Sequence, residues 1–233
     1  MKQMKMMKLL IPVLSLLLLL AACGTKPADN SNASGGQTPK QDSNQNPALA
    51  EQNKAKPWKT PPAMSIDPNK KYKAVVATSK GTFSMELFAK EAPKTVNNFV
   101  FLAKEGFYND IVFHRIIKSF MIQTGDPKGN GSGGPGYTFE DELKTPYKYE
   151  PGIVAMANSG KNTNGSQFFF ICTGDDSKNL NRKPDYTIFG KIVDGMDTVQ
   201  AIASTPVAQG GESVPSKPIE KVTIQSISIQ ESQ

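Results

Sequence analysis

Residues 113–126 read Phe-His-Arg-Ile-Ile-Lys-Ser-Phe-Met-Ile-Gln-Thr-Gly-Asp and set a cation among apolar groups. In an extended chain, side chains alternate between two faces, so Met121 and Gln123 share one face of their strand. A short turn at Lys118 and Ser119 would fold that strand back beside residues 111–117 and bring Arg115 close to both. Arg115, Phe120, Met121 and Gln123 would then form one surface, where a permanently protonated guanidinium donates hydrogen bonds beside apolar walls. Such a surface is a poor choice for stability alone, because a cation loses hydration there. An arginine paired with an acid on a sheet face fits the same spacing, so the pattern by itself leaves both readings open.

Other chemistries are excluded or weak. The 233-residue chain has one His and two Cys, too few for a multi-His or Cys-based metal centre. Residues 129–134, Gly-Asn-Gly-Ser-Gly-Gly, fit a dinucleotide-binding pattern, but Pro135 and Gly136 follow, so no helix starts there to receive a phosphate. No G-x-S-x-G, H-E-x-x-H or phosphate-loop motif is present. His114, between Phe113 and Arg115, reads as a structural histidine rather than the base of a nucleophile. Lys+Arg 27 against Asp+Glu 21 gives a net charge of +6. With no basic-aromatic patch, that is too mild to argue for nucleic acid.

The positioning elements follow from periodicity. Residues 82–87 alternate as a half-buried strand should, and Ser79-Lys80-Gly81 predicts a hairpin joining them to 74–78. Residues 93–104 predict a helix. Val96, Phe99, Val100 and Ala103 recur at helical spacing, Pro93 suits the first turn and Gly106 the stop. Short apolar runs at 111–117, 120–123, 153–156, 167–171, 186–193 and 222–229 predict strands, and 196–203 a second helix. Many strands, two helices and Gly-rich turns predict a mainly β fold, an antiparallel barrel or sandwich whose openings the helices cover.

The N-terminal third has a different composition. Lys2, Lys5 and Lys8 precede an apolar run over 9–22, which is short for a membrane span and suits a signal-peptide core. The run ends Leu20-Ala21-Ala22-Cys23, which resembles the lipobox of bacterial lipoproteins. The resemblance implies cleavage after residue 22 and a lipid on the Cys23 sulfur, leaving Cys172 as the only free thiol. Plain secretion or an uncleaved anchor are the alternatives. Residues 23–69 are rich in Asn, Gln, Ser, Pro, Lys and Gly and are expected to be a flexible tether. The folded domain is expected over 70–233. Trp58, the only tryptophan, could dock on that domain or lie in solvent.

Residues 113–126 resemble the signature of the cyclophilins, a family of peptidyl-prolyl cis-trans isomerases. A second block, Met-Ala-Asn-Ser-Gly-Lys-Asn-Thr-Asn-Gly-Ser-Gln-Phe-Phe over 156–169, resembles the family's other hallmark. Residues 106–108, 133–137 and 189–191 add shorter matches in the family's order. The resemblance implies a closed eight-stranded antiparallel β-barrel capped by two α-helices, with an active groove on its outer surface. It implies that Arg115 is the catalytic arginine and that Gln123 holds the substrate backbone and orients Arg115. Phe120, Met121, Phe169 and Leu180 would wall a proline pocket, with Phe169 chosen from Phe168-Phe169-Phe170 by counting from Gln167. Ala157 and Asn158 would pair with the substrate chain before its proline. Tyr186 stands where many relatives have His. No cofactor or metal is implied. The expected partners are proline-containing unfolded or exported polypeptides and, through the lipid, the outer face of a bacterial membrane. The chain is expected to act as a monomer that does not bind nucleic acid. A proline-segment binding module with little turnover is the runner-up.

Overall fold

In a computed structural model, which describes residues 58–165 and 169–233, the alternation of Tyr72, Ala74, Val76 and Thr78 produces the first strand, β1 (Lys71–Thr78). It turns through Ser79 and Lys80 into β2 (Gly81–Leu87), pairing Thr78 with Gly81. Helix α1 (Pro93–Lys104) starts on its proline, buries Val96, Phe99, Val100 and Ala103, and ends before Gly106, whose φ of 69° suits a residue without Cβ. The chain continues through β3 (Arg115–Ile117), β4 (Met121–Thr124), β5 (Ile153–Met156) and β6 (Phe169–Cys172). A 3₁₀ segment (Asp175–Arg182), β7 (Ile188–Asp194) and α2 (Met196–Ala203) follow, then β8 (Val207–Gln209), β9 (Pro215–Pro218) and β10 (Ile224–Ser232).

Eight strands form one antiparallel sheet in the order β10-β1-β2-β7-β5-β6-β4-β3, and β8 pairs only with β9. The sheet curls but is open, which corrects the closed barrel expected from the sequence. Its edges, β3 and β10, share no ladder. The physical cause lies just before β3. Asp110 sits at a φ of 62°, and residues 111–114 do not extend the strand as their apolar run predicted. Phe113 N–H donates to the Val222 carbonyl and His114 N–H to the Gln123 carbonyl. Among the described residues the seam is crossed by one isolated bridge, Val112 to Thr223, with Asp110 N–H donating to the Ile224 carbonyl and Ile224 N–H to the Ile111 carbonyl, and no continuous ladder follows.

Two apolar clusters sit on opposite faces of the sheet. Phe83, Phe99, Tyr108, Phe113, Phe169 and Phe189 fill the inner one, against α1 and α2. Phe88, Met121, Tyr149, Ile153, Ala155, Phe170, Cys172 and Ile188 form the outer one. Strands β5 and β6 are therefore buried on both faces, and read as unbroken apolar runs.

The folded unit also begins earlier than the expected boundary at residue 70, because part of the expected tether packs on α1. Trp58 meets Phe101 edge-on at 5.5 Å and Phe107 at 5.8 Å. Asn97 of α1 accepts from Ser65 and Ile66 N–H and donates to the Ala63 carbonyl. The expected signal peptide and Cys23 lie outside the described residues.

Candidate functional site

The site begins as a hairpin. Phe120 N–H donates to the Ile117 carbonyl, closing the turn between β3 and β4, and the register then sets Arg115 opposite Gln123 and Ile117 opposite Met121. Next to β4 lies β6, with Phe170 opposite Gln123, and next to that β5, with Ala155 opposite Phe170. Arg115, Gln123, Phe170 and Ala155 thus form one row across four strands. Partners in register share a face, so all four belong to the outer surface.

Beside this row is a cavity of about 340 Å³ lined by Arg115, Phe120, Met121, Gln123, Ala157, Asn158, Phe170, Tyr186 and Glu212. Met121 is buried, and Phe170 meets the Tyr186 ring edge-on at 5.4 Å. Tyr186 is pinned from behind: Tyr149 Oη donates to its carbonyl at 2.5 Å and accepts its N–H at 3.0 Å. Asn158 at the rim donates through Nδ2 to the Asp185 carbonyl.

The Arg115 guanidinium is held on several sides. Nη1 donates to Gln123 Oε1 at 3.4 Å and lies 3.3 Å from Met121 Sδ. Nε donates to Glu212 Oε1 at 2.5 Å, and Cζ lies 5.9 Å from the Phe120 ring centre. The arginine thus lines the notch and is also paired with an acid. Nη2 makes no hydrogen bond to the described residues.

Most of the residues expected at the site meet around this notch: Arg115, Gln123, Phe120, Met121, Ala157, Asn158 and Tyr186. Two do not. Phe169 is the correction. It faces inward, fully buried against Phe99, Tyr108 and Phe189, because its register partners Thr124 and Met156 belong to the opposite face from Gln123. Its neighbour Phe170 lines the notch instead. Leu180 packs on the outer cluster but does not line the cavity. Glu212 was not expected at all. It comes from the β8–β9 loop, distant in sequence and without an apolar signal.

The lining contains no serine, threonine or cysteine. Cys172, opposite Met121, is fully buried, and burial pushes its thiol up to about 12, so it is no nucleophile at neutral pH. Burial lowers the His114 pKa; Asp126 opposes this and Arg115 adds to it, so the ring is largely neutral at pH 7. Among the described residues, no three His, Cys, Asp or Glu side chains are grouped to hold a metal. What the geometry offers is a half-buried, fixed hydrogen-bond donor beside an apolar wall.

The loop leaving β4 is stapled by Asp126. Its carboxylate accepts N–H groups from Lys128, Asn130, Gly131 and Ser132. Burial alone would raise its pKa, but the backbone donors outweigh that and hold it below 3.8. A depressed folded-state pKa means the unfolded chain takes up the proton more readily. The stabilisation is therefore complete above the ordinary carboxylate pKa and is lost as pH falls through the folded value. Asp126→Asn is expected to cost about 1–3 kcal/mol at pH 7 and to flatten the acid limb of stability. Denaturant midpoints measured from pH 7 to pH 2 check this. An acid limb as steep in the variant as in the wild type would contradict it.

A family model described as cyclophilin type peptidyl-prolyl cis-trans isomerase/CLD matches residues 73–229, more than half of the chain. The chain is 46% identical over 151 residues to a peptidyl-prolyl cis-trans isomerase-like 1 of Aspergillus oryzae, covering 63% of this chain and 88% of that relative. It is 46% identical over 142 residues to a peptidyl-prolyl cis-trans isomerase-like 2 of Rhizopus delemar. There the match covers 59% of this chain and only 26% of the relative, so the chain spans about a quarter of that protein's length. A crystal structure of a Cryptosporidium parvum cyclophilin type peptidyl-prolyl cis-trans isomerase, in the presence of dipeptide ala-pro, aligns with a TM-score of 0.60. It shares 37% identity and covers 68% of this chain and 98% of that one.

Proposed function

This chain belongs to the cyclophilin-type peptidyl-prolyl cis-trans isomerase family, and on that premise we propose that it accelerates rotation about X-Pro bonds at the Arg115 notch. One observation carries the reading: Arg115 stands in register with Gln123 and Phe170 and keeps Nη2 available beside the apolar wall of Phe120, Met121 and Phe170.

The chemistry follows from the amide bond. Rotation is slow because the nitrogen lone pair is shared with the carbonyl, a barrier of about 18–20 kcal/mol. In the twisted state that lone pair is localised on nitrogen. A guanidinium N–H can donate to it there and far less in the planar ground state, so the bond favours the transition state. Apolar walls around the ring exclude water and strengthen the interaction. Gln123, Ala157 and Asn158 hold the flanking chain, so that one side of the bond turns relative to the other. Favouring the twisted state by about 7 kcal/mol corresponds to about a 10⁵-fold acceleration. No bond is made or broken.

The substrates proposed are prolines in exported, incompletely folded chains, met by a monomer at the outer face of a bacterial membrane. The support for that location is in the sequence: the basic start, the apolar run over 9–22 and the small residues before Cys23. A chain with Cys23→Ala should lose incorporation of labelled palmitate; retention of the label would remove the lipid anchor from the account.

The activity itself is tested with catalytic amounts of the full chain and an Ala-Pro peptide in a protease-coupled isomerisation assay. Faster conversion of the cis form is the expected result. Saturable binding of the peptide without acceleration would favour the binding-module reading.

A further inference from the structure

We propose that Glu212 is a positioning residue for Arg115, an assignment that rests on the isomerase reading above. Glu212 reaches the site from the loop between β8 and β9, whose pairing of Ala208 with Lys217 makes a small sheet of its own. Two contacts shape that loop. Gln209 Nε2 donates to the Glu212 carbonyl, and Gly210 passes so near Ser216 that a Cβ there would lie 2.9 Å from its Oγ. The loop thus delivers the Glu212 carboxylate to the edge of the notch, where it borders both the 340 Å³ cavity and a neighbouring one of about 480 Å³.

The geometry of the pair distinguishes an orienting contact from a blocking one. A carboxylate competing with substrate would take the arginine fork by two parallel bonds and occupy Nη2 as well as Nε. Here the contact is single, from Nε to Oε1, while Oε2 is buried without a hydrogen-bond partner among the described residues. Nε is held by Glu212 and Nη1 by Gln123 and Met121. Two anchors at different nitrogens fix the plane of a rigid fork, and Nη2 makes no hydrogen bond to the described residues. An arginine lacking the first anchor regains rotation about the end of its stem, and the donor spends less time where the twisted amide needs it. The two side chains are 28% and 35% exposed, so the pair contributes little to overall stability and its loss is expected to act on turnover.

The test compares the full-length wild type with E212A and E212Q on an Ala-Pro peptide, with kcat and KM measured separately and melting temperatures recorded. E212A is expected to lower kcat about ten-fold or more with KM within about two-fold and melting unchanged. E212Q, whose amide oxygen still accepts the Nε–H, is expected to restore most of kcat. A wild-type kcat in E212A would overturn the assignment. So would a faster E212A, which would make the carboxylate a competitor for the cation, or an E212Q as slow as E212A, which would make charge rather than orientation the cause. A wild type without turnover would overturn both this assignment and the function it rests on. An active wild type matched by E212A would overturn this assignment alone.

Discussion

Arg115→Ala is expected to lower kcat/KM for an Ala-Pro peptide by about 100- to 1,000-fold, the usual cost of removing one preorganised donor to a transition state. The fold should survive, because the side chain lies on the outer surface, and its contacts are to Glu212, Gln123, Met121 and Phe120 rather than to the inner core. Peptide affinity should change much less than turnover, since the notch walls remain. Arg115→Lys should also turn over poorly. An ammonium keeps the charge but cannot be held at one nitrogen while donating from another. Isomerisation assays paired with calorimetric affinities separate the possibilities. Near-normal turnover in Arg115→Ala would reject the assignment, whereas parallel loss of affinity and turnover would point to a binding module.

The second large effect separates two adjacent phenylalanines. Phe169→Ala removes a fully buried ring that packs edge-on against Phe99 at 5.6 Å and Tyr108 at 5.7 Å. The expected loss is about 3–5 kcal/mol, a large fraction of the ~5–15 kcal/mol that holds a typical domain folded. Whatever remains folded should keep a near-normal KM, because the residue faces away from the notch. Phe170→Leu has the opposite signature. It keeps an apolar side chain of somewhat smaller volume, so the stability loss should be only about 1–1.5 kcal/mol, but the wall against a proline ring changes shape and KM should rise about ten-fold. Denaturant titration and steady-state kinetics on both variants decide the matter. If Phe169→Ala raised KM and Phe170→Leu left it alone, the register of β6 described above would be wrong.

That register also shows where sequence reading stops. The β3–β4 hairpin was legible because turn residues at Lys118 and Ser119 divide two strands whose outer faces carry distinctive types: Arg115 on one, Met121 and Gln123 on the other. β6 offers no such signal. Phe168, Phe169 and Phe170 are all apolar, and a strand buried on both faces has no polar alternation to reveal which side is which. Only pairing with β4 sets Phe170 beside Gln123. Helix α1 was legible in both limits, since Pro93 and Gly106 act locally. The open seam was not, because it depends on how residues 110–113 leave the strand direction and meet residues 222–224. Glu212 was invisible for a related reason. Gly210-Gly211-Glu212-Ser213 reads as a solvent loop, and its role comes from a long-range contact that no local pattern encodes. Trp58 lies between these cases: its residue type permitted docking, and the rings of Phe101 and Phe107 provide it.

The central claim is that a fixed guanidinium beside an apolar notch acts on the X-Pro amide itself. A crystal structure of the chain with an Ala-Pro dipeptide bound tests this most directly. The account predicts the proline ring against Phe120, Met121 and Phe170, with Arg115 Nη2 about 3 Å from an atom of the prolyl amide. A ring seated elsewhere, or one in the notch with the guanidinium turned away from the amide, would contradict it.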